Sequence, residues 1–119
     1  MAADFSEAER LVADLGRIEH RLVPEVRGVV KRAVQNVKED TRERISDHPT
    51  WRRLASTVTY DMHGLAAEVG YEDRGQGELA GIAEFGSARK APHPALIPAS
   101  AAEEPRFMRA LRGVRAVDL

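Results

Sequence analysis

From Val26 to Ile45 the apolar residues return every three or four positions, as Val26, Val29, Val30, Ala33, Val34, Val37, Thr41 and Ile45. Arg27, Lys31, Arg32, Lys38, Glu39, Arg42 and Glu43 fill the other faces, so the spacing predicts a long amphipathic helix over 25–46. At about 1.5 Å per residue it would be roughly 33 Å long, enough to cross a small domain. Its apolar side needs cover over that whole length. β-Branched valines are more usual in sheets than in helices, which predicts a strand layer packed against this helix.

The next segment supplies that layer. Leu54, Ser56, Val58 and Tyr60 alternate with Ala55, Thr57, Thr59 and Asp61, and Leu65, Ala67, Val69 and Tyr71 form a second alternation. With Asp61-Met62-His63-Gly64 between them as the turn, they predict an antiparallel hairpin over about 54–71. Before the long helix, Ser6 and Glu9 form a capping box, and Ala8, Leu11, Val12, Leu15, Ile18 and Leu22 follow at helical spacing, predicting a helix over about 6–22. Pro24 then either kinks the chain or opens the second helix. The polar, Gly-rich run Glu72–Gly77 predicts a mobile loop that orders on assembly.

Leu79, Ile82 and Ala83 predict a short helix over about 78–85, ended by Gly86 at the position that wants positive φ. Pro92, Pro94 and Pro98 fix φ and remove three donors, so residues 88–98 are expected to run as a stiff extended arm suited to docking on a neighbour. Phe107, Ala110, Leu111 and Val114 predict a last helix over about 104–114, with Glu103 and Glu104 at its start and Arg112 and Arg115 near its end. The order of elements is that of one α+β domain.

A chain of 119 residues with 43% apolar and 31% charged residues has the make-up of one globular unit. Aromatics at 5% leave a light core of Val, Leu, Ile and Ala, and such a subunit gains from oligomerisation. Eighteen basic and nineteen acidic side chains nearly cancel, which gives little long-range attraction for nucleic acid or anionic lipid. There is no cysteine, and neither an exported leader nor a membrane span is expected.

Catalytic patterns are weak. His20, His48, His63 and His93 have no metal-ligand spacing and are expected at the solvated surface. No G-x-S-x-G stretch supports Ser56 or Ser87 as a nucleophile with Asp61 and His63, and Gly75-Gln76-Gly77 lacks the continuation of a phosphate loop. No enzyme activity and no cofactor are expected. Trp51-Arg52-Arg53, Arg89-Lys90 and the arginines from Arg106 to Arg115 are candidates for non-specific DNA contact, although such runs are more often solvated faces. Trp51 is expected to pack in the core.

Ala83-Glu84-Phe85-Gly86-Ser87, a basic stretch, and Pro92-His93-Pro94-Ala95-Leu96-Ile97-Pro98-Ala99 together resemble a family pattern. It is that of the tail-completion and head-to-tail joining proteins of long-tailed phages, the family named after the tenth gene product of a lambdoid phage. Ser87 stands where that pattern has Thr, and Ala95 where it has Phe. The resemblance implies a structural virion protein of the neck, assembled in the host cytoplasm. It implies a homo-oligomer in a sixfold ring, with other neck and tail proteins (tail terminator, head-completion proteins, tail tube) as partners. The expected interface residues are Glu84, Phe85, Gly86, Ser87, Pro92, Pro94, Leu96, Ile97 and Pro98. A different reading is a small cytoplasmic regulatory or DNA-binding module that dimerises through the long helix.

Overall fold

The valine stripe organises the fold. In the computed structural model, which describes residues 2–4, 22–72 and 77–117, helix α1 runs Leu22–Ser46 and buries Val26, Val30, Ala33, Val34, Val37, Thr41 and Ile45. Of the expected stripe only Val29 is left half-buried. Pro24 lies in the first turn, where no helical hydrogen bond is due to its nitrogen, so α1 begins slightly earlier than 25. The helix expected over 6–22 lies outside the described residues apart from its last position, Leu22, which opens α1.

One side of α1 packs on an antiparallel sheet in the order β1-β3-β2, with β1 at Ala2–Asp4, β2 at Val58–His63 and β3 at Ala66–Tyr71. The β2–β3 register sets Val58 opposite Tyr71, Tyr60 opposite Val69 and Met62 opposite Ala67, and these positions face the core. The turn is Gly64-Leu65, tighter than expected. Gly64 has φ 62° and Leu65 does not share the positive φ, the pattern of a type II′ hairpin turn whose twist suits the flanking strands. The third strand extends the expected hairpin, pairing Ala2 with Gly70 and Asp4 with Glu68.

Residues 54–57 do not continue the hairpin, and the expectation there is corrected. Arg52–Thr57 is a 3-10 helix. The Thr57 hydroxyl donates to the Leu54 carbonyl at 2.7 Å and the Ser56 hydroxyl to the Arg53 carbonyl at 3.3 Å, so local side-chain bonds displace the ladder that the alternating pattern suggested. Leu54 still reaches the core, fully buried beside Trp51.

The other side of α1 packs on α3, which spans Leu96–Val117. This helix starts eight residues before the expected 104, and residues 96–98 belong to it and not to an extended arm. Pro98 is its third residue, and Ala99 N is the first amide bonded inside the helix, to the Ala95 carbonyl at 3.0 Å. A proline that reads as a helix breaker therefore occupies a position with no bond to lose. Pro105 lies inside α3 on its exposed face, with Ala101 and Ala102.

Candidate docking face

Helix α2, Gly77–Phe85, ends where the sequence pattern places its stop. Gly86 has φ 79°, and a Cβ there would stand 2.9 Å from Pro92 Cδ and 3.0 Å from the Lys90 carbonyl. Glycine is required both by the backbone conformation and by the chain that folds back over it. Gly86 N donates to the Ile82 carbonyl at 2.7 Å.

The expected arm is a folded strap. Ser87 N donates to the Lys90 carbonyl at 2.9 Å, and the Ser87 hydroxyl accepts from Arg89 N and Lys90 N. His93 N then donates back to the Ala83 carbonyl at 2.6 Å. Glu84, 3% exposed, closes the structure: Oε1 accepts from Ala95 N and Leu96 N, and Oε2 from Ile97 N, each at 3.0 Å. One carboxylate thus satisfies the donors that open α3 and sits at the positive end of its dipole. Nearby Tyr71 is pushed well above the ordinary phenol range, by burial first and then by the Glu84 charge.

The nine expected interface residues therefore separate. Glu84 and Leu96 are interior in the chain, Glu84 holding the strap through its carboxylate and Leu96 packing in the core. Gly86 and Pro98 are half-buried, while Ser87, Pro92 and Pro94 are exposed. Phe85 and Ile97 stand out, 64% and 51% exposed, as the large apolar side chains left in solvent among the described residues. They flank the Glu84 contact, one by chain adjacency and the other as its amide donor. We refer to these two exposed side chains, borne by elements that Glu84 ties together, as the knob.

His48 and His93 were expected to be solvated and instead help to hold the strap. His48 Nδ1 accepts from Thr50 N at 3.1 Å and Trp51 N at 3.2 Å. Its ring lies 4.6 Å from that of His93 and 6.0 Å from Trp51. His93 Nε2 meets the Arg44 carbonyl at 3.1 Å, and Lys90 Nζ stands 5.7 Å from the Trp51 ring. The strap is so pinned to the C-terminal end of α1. Trp51 is 3% exposed, in agreement with core packing. No linear spacing relates His48 to His93, so this cluster had no signal in the sequence.

Along the N-terminal half of α1, a groove of about 450 Å³ opens between α1 and α3. Val29, Ala33, Phe107, Ala110 and Val114 line it, with Glu25, Arg32 and Arg106 among its polar residues. Below them the buried Glu103 accepts from Asn36 Nδ2 at 3.0 Å and pairs with Arg106 at 3.3 Å. Among the described residues no group of three or more His, Cys, Asp or Glu could hold a metal ion, and no helix is long and apolar enough to cross a membrane. No family model, curated protein or solved structure matches the chain.

Proposed function

We propose that this chain is a structural subunit of the neck of a long-tailed phage, one copy of a ring, sixfold by resemblance, that joins tail to head. The observation that carries the reading is the Phe85–Ile97 knob. The segment that resembles the tail-completion family presents two large apolar side chains to solvent, on a strap held by Glu84, Gly86 and His93. Exposed apolar anchors on elements tied together suit protein docking. Repetition around an axis turns such small contacts into a durable joint.

In this reading tail terminator, head-completion and tail-tube proteins are the neighbours, and exposed Arg52, Arg53, Arg89 and Arg109 offer only non-specific contact with passing DNA. The regulator that dimerises through α1 has less support, because the valine stripe it would use is spent on the sheet and α3. The test is Phe85→Ala in a phage that encodes this chain. The variant is expected to fold normally and to yield heads and tails that fail to join. Unchanged yield of infectious particles would refute the assignment of the knob.

A further inference from the structure

We propose that the contact between His48 and the strap is a pH-operated latch: uptake of a proton by His48 parts the turn after α1 from the strap and uncovers Trp51 while the domain stays folded. The latch is a property of the single folded chain and holds with or without a ring. Geometry fixes the protonation state in which it is closed. His48 Nδ1 accepts from Thr50 N at 3.1 Å and from Trp51 N at 3.2 Å, so the closed form needs a neutral imidazole with Nδ1 bare and the hydrogen on Nε2. His93 Nε2, 3.1 Å from the Arg44 carbonyl, is a donor, since a carbonyl can only accept. The two rings, with centroids 4.6 Å apart, join the strap to the end of α1. Trp51, 6.0 Å from the His48 ring and 5.7 Å from Lys90 Nζ, is 3% exposed in that company.

A proton on His48 conflicts with these contacts. An imidazolium donates from both nitrogens, so Nδ1–H would face two amide hydrogens, and Thr50 N and Trp51 N would lose their acceptor. Burial opposes the new charge first, then His93 and Lys90 of the strap. No carboxylate offsets them. Residues 87–94 of the strap contain none, their ionisable side chains being Arg89, Lys90 and His93. The 3-10 helix after the turn adds Arg52 and Arg53, both exposed. On α1, Asp40 is taken by Arg44 at 2.9 Å, and Asp47, next to His48 in the chain, is exposed and makes no ion pair among the described residues. Because the closed form binds fewer protons than the open one, the latch is shut above pH 6.5 and opens as pH falls through the lower value of His48 in the folded chain. The strap's other ties, His93 N to the Ala83 carbonyl and the three amides on Glu84, use no imidazole. Opening is therefore local.

Trp51 is the single tryptophan of the chain, so its fluorescence reads the latch directly. Full-length protein is titrated between about pH 8 and pH 5, the range in which imidazoles ionise, while emission maximum, acrylamide quenching and far-ultraviolet circular dichroism are recorded together. The expected result is a red shift and a rise of about threefold in the quenching constant, with helical circular dichroism unchanged, and the midpoint lies below pH 6.5. His48→Asn keeps an acceptor that does not titrate, and its Trp51 should stay shielded at both ends of the range. His48→Ala has no acceptor, and its Trp51 should be open to quencher at both. Shielding of the natural chain that does not change with pH would overturn the latch. So would the same transition in His48→Asn, which would assign it to another group. Loss of circular dichroism in step with the fluorescence change would also overturn it, because the whole domain would then be unfolding.

Discussion

Glu84 accepts hydrogen bonds from three consecutive amides, and removing its carboxylate would strand those donors in a dry corner. Hydrogen bonds to a charged group are each worth about 1.5–3 kcal/mol, and buried donors without acceptors cost about 1–3 kcal/mol. Glu84→Ala is therefore expected to lower stability by about 3 kcal/mol, read as a fall in the urea midpoint at pH 7. A change within the scatter of surface substitutions would show that the cap contributes nothing. His48 gives a second residue-scale prediction. It is held below the ordinary imidazole value of 6.5, by burial first and then by His93 and Lys90. The folded protein thus binds fewer protons there than the unfolded chain, so the stabilisation is complete above pH 6.5 and is lost as pH falls through the folded-state value. Protonation also removes the acceptor of two backbone amides. Between about pH 7 and pH 5, where imidazoles titrate, the urea midpoint should fall more steeply for the natural chain than for His48→Asn. Parallel profiles would contradict this.

The elements differ in how openly the sequence announces them, and local bonding explains the difference. Helix α1 and the stop at Gly86 were legible because one repeats a period over six turns and the other needs a glycine at a fixed place. The 3-10 turn at Arg52–Thr57 was not, since hydroxyls at Ser56 and Thr57 satisfy carbonyls three residues back and override alternation. Strand β1 gave no signal, because Ala2–Asp4 is too short for a pattern and owes its conformation to the edge of β3. The start of α3 was hidden by Pro98, whose restriction is equally compatible with an extended arm and with a first helical turn. The cap that decides between them comes from Glu84, in a different helix. Pro105 tests this account of α3. In the helix interior it lacks the bond to the Ala101 carbonyl, a defect of about 3 kcal/mol that solvent on the exposed face partly offsets. Pro105→Ala restores the bond but loosens the unfolded chain by about 0.4–1 kcal/mol. A net gain of roughly 1–2 kcal/mol in thermal unfolding is expected, and a loss would mean that the proline shapes the groove wall.

At the scale of the whole molecule, stability and docking are separable because they rest on different ends of the side-chain exposure range. Val30 is fully buried in the core, whereas Phe85 is 64% exposed at the end of α2. In a core this poor in aromatics, an unpaired carboxylate at Val30 has nowhere to go. Val30→Asp should cost about 4 kcal/mol or more, a large part of the roughly 5–15 kcal/mol that holds a domain together. Loss of the cooperative melting transition is expected, with residual helical circular dichroism at most. Phe85→Ala removes apolar surface that is already mostly wet, so its melting curve should overlay that of the natural chain while assembly is lost. If instead both substitutions lowered the melting temperature together, Phe85 would belong to the core of the monomer. The knob would then be a structural residue whose exposure in isolation does not report a docking role.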